Sequence, residues 1–173
     1  MTEKQEQILK SALELFAKEG YHVVSTSKIA KHAGVSEALI FRHFENKEGL
    51  LRAVLIAGKE KLKKEFADIV MAADPKTVIR KTLELPYTIP AADYEMWRLT
   101  YSLKWQTGSY DMDMSEPLKM ALVNAFKKLK AKDPEAETEL VLMIVDGSAT
   151  SLLLHEPANK KQVLKLILSK YDL

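Results

Sequence analysis

The sequence predicts an all-α fold, and three observations carry that expectation. Apolar residues recur at helical spacing along almost the whole chain. The one β-branched cluster, Val23–Thr26, is only four residues long and falls where a turn is expected. Gly, Pro, Ser and Asn residues punctuate the rest at helix boundaries. The expected division is an N-terminal three-helix unit over residues 1–46, a long connecting helix over about 47–72, and a helical body over 73–173.

The first helix is expected over Glu3–Glu19, with Ile8, Leu9, Ala12, Leu13 and Phe16 on one stripe. Gly20 is expected in a left-handed position that ends it. Ser25 or Thr26 caps the second helix, which buries Ile29 and Ala30 and stops at Gly34. Ser36 caps a third over Glu37–Phe44, and Asn46 caps a fourth over Lys47–Ala72 that Asp74 and Pro75 end. Further helices are expected over Lys76–Leu85, stopped by Pro86 and Pro90, and over Ala91–Thr107. Asp111–Ser115 reads as a loop. Helices then follow over Glu116–Ala131, over Pro134–His155 with Pro at its first position, and over Lys160–Tyr171.

Composition narrows the class. With 173 residues the chain can bury a real core, and 47% hydrophobic with 29% charged residues fits a soluble globular protein. The N-terminus has no signal-like apolar stretch, and no run reads as long enough to span a bilayer, so no membrane partner is expected. The absence of cysteine rules out disulfides and thiolate metal sites, and suits a cytoplasmic protein. Residues 1–64 hold 12 Lys and Arg against 8 Asp and Glu, whereas residues 65–173 hold 14 against 16. A basic head on a slightly acidic body suits a protein whose N-terminal part meets DNA.

The second and third helices with Gly34 between them form a helix-turn-helix pattern, a unit that places its second helix in the DNA major groove. Gly34 allows a positive φ without a Cβ penalty. Val35, Ile40 and Phe44 can face Ile29, Ala30 and Ala33, with Leu13 and Phe16 closing a small core. Glu37, Ala38, Leu39, Arg42 and His43 then point away from it. Arg42 suits a guanine edge or a phosphate, Leu39 a thymine methyl, and Glu37 a cytosine amine. Lys47 opens the fourth helix, where backbone N–H groups already favour a phosphate. The plain alternative is a helical hairpin in a bundle with a wet polar face.

Three groups of residues together resemble the DNA-binding domain of the TetR family of bacterial transcriptional regulators. They are Ile8-Leu9, Ala12, Leu15-Phe16-Ala17 and Gly20-Tyr21; then Ile29-Ala30 and Ala33-Gly34-Val35-Ser36; then Ile40-Phe41-Arg42-His43-Phe44, Lys47-Glu48 and Leu50-Leu51. The resemblance covers about the first third of the chain. It implies an all-helical homodimer whose helical body binds a small effector and sets the spacing of two heads. By position it implies that Thr26, Ser27 and Lys28 begin the helix crossing the DNA backbone. It puts Glu37, Ala38, Leu39 and Arg42 at or near bases, and Phe41, His43 and Lys47 at phosphate positions. Two residues depart from the family pattern. Phe41 stands where the family commonly has Tyr, which removes a hydroxyl, and Val24 stands where it commonly has Thr, which leaves capping to Ser25 or Thr26.

The body is rich in Met and aromatic residues, which suit an adaptable apolar pocket as well as a plain core. Tyr87, Met96, Trp97, Tyr101, Trp105 and Met120 are the candidate lining residues. The resemblance also implies a four-helix dimer interface from the last two helices, with Leu152, Leu153, Val163, Leu164, Ile167 and Leu168 as its candidates. No metal site is expected from the four scattered histidines, no cofactor motif is present, and no nucleophile or carboxylate pair suggests an enzyme. The expected function is a ligand-responsive DNA-binding regulator: a repressor released from a near-palindromic double-stranded operator by a small apolar effector. The alternative is a non-regulatory DNA-associated protein that organises DNA or couples it to a protein partner.

Overall fold

A computed structural model describes the backbone of residues 1–107, 112–155 and 157–173, and their side chains except 59–62, 64–65, 104–107 and 112–115. The described residues are helical without strands: α1 (Glu3–Glu19), α2 (Thr26–Ala33), α3 (Glu37–Phe44), α4 (Lys47–Val70), α5 (Pro75–Thr88), a 3-10 turn (Ala91–Asp93), α6 (Tyr94–Thr107), α7 (Met112–Lys128), α8 (Pro134–His155) and α9 (Lys160–Ser169). They form two compact units. The first holds α1, α2, α3, α4 as far as Lys61, and α6; the second holds α4 from Leu62, α5, α7, α8 and α9.

Local chemistry explains the boundaries in the first unit. Thr2 and Gln5 cap α1 reciprocally, each side chain bonding the other's backbone N–H. Ser25 and Ser36 cap α2 and α3 by accepting from Lys28 and Leu39 backbone N–H groups. Gly34 ends α2 in the left-handed conformation (φ 67°, ψ 33°), as its place in the turn requires. Gly20 also has a positive φ (91°), but its ψ of 145° lies outside the left-handed helical well, so the chain leaves α1 extended rather than curled back. Asn46 caps α4, its side chain accepting from Gly49 N–H at 2.8 Å.

The core of this unit joins Ile8, Leu9, Ala12, Leu15 and Phe16 of α1 to Ile29, Ala30, Ile40, Leu50 and Val54. Leu13 is only partly buried beside it. Val24, in the loop before α2, is 1% exposed, which accounts for an apolar residue where a capping hydroxyl would otherwise serve. Leu99 and Leu103 of α6 complete the cluster, and α6 packs on α1. Each fully buried side chain of this size contributes roughly 1.5–3 kcal/mol of transfer free energy.

In the second unit α5 packs on α7, α8 and α9, and α7 packs on α8. Val78, Ile79 and Leu83 of α5 are buried, as are Leu118, Leu122 and Phe126 of α7 and Val141, Ala149, Leu152 and Leu153 of α8. Tyr171, just past α9, packs on Phe126 (6.2 Å between ring centroids); burial, aided by Glu137, raises its hydroxyl pKa. Asp74 caps α5, and its bonds from Thr77 hold its carboxyl below the usual range.

Three expectations are corrected. Pro86 does not stop α5, which runs on to Thr88; Leu85 and Pro86 are buried, and that packing offsets the one donor that proline removes. The stretch expected as a loop is helical from Met112, the start of α7, while Asp111 lies outside the described residues. Finally, α8 is long and apolar enough to cross a membrane by length and composition, contrary to the expectation of no such run. Its Thr138, Val141, Ala149, Leu152 and Leu153 are buried in the second unit, so packing on α5 and α7 explains one apolar face of α8 and leaves another exposed.

Candidate nucleic-acid interface

The helix-turn-helix is built by two serine caps and one glycine. Val35 N–H returns to Ala30 O at 3.0 Å across Gly34, which closes the end of α2. Ile40 is the fully buried anchor of α3, and Val35, Leu39 and Phe44 pack beside it. The turn from α3 to α4 is a single tight step, with Glu45 at positive φ (66°) and Asn46 N–H bonded to Phe44 O at 2.7 Å.

The outer face of α3 presents Ala38, Phe41 and Arg42, all exposed, with Phe41 at 44%. Ser27 and Lys28 are exposed at the start of α2, where Lys28 pairs with Glu19 at 2.5 Å. An exposed pair of this kind is worth about 0–1 kcal/mol, so DNA can compete for the ammonium. Leu39 is half-buried against the core, which leaves less of it for a thymine methyl than a wholly outward position would. Glu37 and Thr26 are both half-buried and joined side chain to side chain. His43 turns toward α1, its Nδ1 lying 3.3 Å from Gln5 Nε2, and its ring meets Phe44 edge-on.

Lys47 is held in a defined place. Its Nζ lies 4.5 Å from the centroid of the Tyr21 ring and donates to His22 O at 3.2 Å. Tyr21 in turn packs edge-on against Phe16. Its hydroxyl pKa is raised by burial and by nearby Glu48. The Tyr21 platform and the strut from Gln5 to His43 are not visible in the sequence stripe of α1; the Gly-Tyr pair after that helix is the one signal for the first.

The six candidate lining residues divide between the units. Met96, Trp97 and Tyr101 belong to the first, Tyr87 and Met120 to the second, and the Trp105 side chain lies outside the described residues. Trp97 is buried with its ring 6.1 Å from that of Tyr101, and Met96 packs on the first core beside Gly58. Tyr87 donates to Ser148 Oγ at 3.3 Å, whereas Met120 is 59% exposed. In the second unit a cavity of about 140 Å³ is lined by Val70, Pro75, Val78, Ala121, Ala125 and Lys128 among others, and by none of the six. That volume is below the several hundred Å³ of a typical organic-ligand site.

The interface candidates divide as well. Leu152 and Leu153 are buried within the second unit, Leu164, Ile167 and Leu168 are half-buried, and Val163 is exposed. A different apolar stripe is open on α8: Ala136, Leu140, Met143, Gly147, Thr150 and Leu154 alternate at steps of four and three, all exposed. Leu154 is 76% and Met143 70% exposed, and Leu166 is exposed beyond Val163 on α9.

Comparison with known proteins agrees with this geometry. Residues 8–54 match the family of bacterial regulatory proteins, tetR family. An HTH-type transcriptional regulator of Bacillus subtilis, YvkB, is 47% identical over 55 residues, 32% of this chain and 29% of the relative. The fatty acid metabolism regulator protein of the same organism is 33% identical over 97 residues, 54% of this chain and 48% of the relative. The match thus spans less than half the length of either relative. A solved regulator from Saccharomonospora viridis, in complex with choline, superposes with a TM-score of 0.79 at 18% identity, over 99% of this chain and 96% of its own. At that identity the likeness speaks for the fold. Residues 8–54 thus carry the helix-turn-helix domain of the tetR family of bacterial regulatory proteins, and the chain shares the all-helical fold of the solved regulator along its length.

Proposed function

We propose that the chain is a ligand-responsive repressor that binds a near-palindromic operator as a homodimer. The observation that carries the reading is the outer face of α3: Ala38, Phe41 and Arg42 stand exposed on a helix whose opposite side is anchored by Ile40. Lys47 on its Tyr21 platform flanks that helix as a phosphate contact, with Ser27 and Lys28 on α2 in the same role. The functional division we propose is residues 1–46 for DNA, α4 as the connection, and residues 73–173 for effector and partner.

Dimerisation is supported by the exposed stripe on α8 with Val163 and Leu166 of α9. Gly147 stands in that stripe with no atom near the position of an added Cβ. A glycine inside a helix costs roughly 0.5–1 kcal/mol against alanine, and no packing among the described residues requires it. A second copy approaching closely there would. Two heads then read two half-sites one helical turn or a multiple apart.

An effector that binds the body better in one head spacing than another shifts the population away from the DNA-binding form; a few kcal/mol of difference suffices. The Met and aromatic content of residues 87–120 is the sequence feature behind a small, largely apolar effector. A relative named for fatty acid metabolism and a fold neighbour holding choline supply two chemical classes to try. The test is to bind the chain to its selected operator and add long-chain fatty acids, acyl thioesters or choline. Release by one class supports a repressor. Tighter binding with an effector would make it an activator, and indifference to a broad apolar library would leave a constitutive DNA-binding protein.

A further inference from the structure

Thr26 is the first residue of α2 and Glu37 the first residue of α3. They are eleven residues apart, and their side chains meet across the turn: Thr26 Oγ1 donates to Glu37 Oε1 at 2.6 Å. The carboxylate also sits in the first turn of α3, where the helix dipole favours negative charge. Two independent features therefore hold one acidic group at the tip of the helix offered to the groove.

We propose that Glu37 is a specificity-determining residue that selects cytosine, and that Thr26 is a positioning residue for it rather than a phosphate ligand. This rests on the DNA-reading role proposed above. A carboxylate only accepts hydrogen bonds. In the major groove guanine offers N7 and O6 and thymine offers O4, all acceptors that repel it; adenine sets its amine beside the N7 acceptor; cytosine offers an amine alone. With one oxygen bonded to Thr26, the carboxylate presents the other to that amine in a fixed direction. The hydroxyl hydrogen of Thr26 is committed to Glu37 and is not available to a phosphate oxygen.

The charge adds a second consequence. A carboxylate beside the phosphate backbone weakens binding to every sequence, because it opposes the electrostatic attraction that supplies non-specific affinity. Glu37 thus trades affinity for discrimination, and its neutral isostere should do the reverse.

The experiment selects from a pool of randomised duplexes with the full-length wild-type protein and with Glu37→Gln, Thr26→Val and Thr26→Ser, each checked for an unchanged melting transition. The wild type should favour cytosine about tenfold at one position of each half-site. Glu37→Gln should flatten that position alone and bind an unrelated duplex several-fold more tightly. Thr26→Val should weaken the cytosine preference with the salt dependence of binding unchanged, and Thr26→Ser should restore it. A motif that is identical for wild type and Glu37→Gln overturns the assignment while leaving the DNA-reading role intact. A lower salt dependence in Thr26→Val makes Thr26 a phosphate ligand and overturns its half of the proposal. If the wild type enriches no motif, the DNA-reading role fails, and this inference with it.

Discussion

At the scale of single residues, the contacts proposed for Arg42 on α3 and Lys47 on α4 differ in kind, and mutation separates them. Arg42 is exposed on the outer face of α3, one residue from Phe41 and four from Ala38. Arg42→Ala should weaken binding to the selected operator by about 1–3 kcal/mol and relax preference at one base. Binding to a scrambled duplex is the control; equal loss on both would make Arg42 a phosphate contact. Lys47 should behave in the opposite way. Its ammonium is placed by the Tyr21 ring and His22 O, so Lys47→Ala should weaken all duplexes alike and lower the salt slope by about one. Salt titrations of the variant and wild type check this, and an unchanged slope would remove Lys47 from the phosphate contacts. His43 also has a partner inside the protein, Gln5, and the sequence alone gave no sign of it.

At the scale of elements, the angle between α2 and α3 is the feature on which reading depends. Gly34 sets it at φ 67°, and an added Cβ there would meet no atom within 4 Å. Gly34→Ala should therefore cost only the backbone strain of a left-handed alanine, about 1–2 kcal/mol. Thermal or urea unfolding measures it; a loss near zero would mean the turn relaxes without strain. The helices, caps and turn of this region were legible because each is fixed by neighbours in sequence: a serine before a helix, a glycine after one. α6 was not legible as part of the first unit. Leu99 and Leu103 bury against α1 and its partners, and nothing local to Tyr94–Thr107 distinguishes that packing from a place in the body. For the same reason Leu152 and Leu153 looked suited to an interface; periodicity marks a buried face but not which surface buries it. Pro86 misled for a complementary reason, since its local cost is overridden by burial.

At the scale of the whole molecule, the proposed repressor needs two copies. The stripe of Leu140, Met143, Gly147 and Leu154, with Val163 and Leu166, leaves large apolar side chains open to water. Covering one such side chain fully is worth roughly 1.5–3 kcal/mol before ordering costs. Leu154→Asp combined with Leu166→Asp should give monomers that keep their fold, because both residues are exposed in the single chain. Sedimentation and melting together check it; a dimer that survives both changes would place the interface on another face. Operator affinity should fall when dimerisation is lost, since one head reads one half-site.

The most direct measurement of the central claim is selection of genomic DNA fragments by the purified protein at physiological salt. A dimeric repressor should select a few discrete sites, each with two inverted half-sites separated by a whole number of helical turns and lying beside promoters. Hundreds of dispersed fragments with no shared motif would contradict it, and would instead describe a protein that coats or organises DNA.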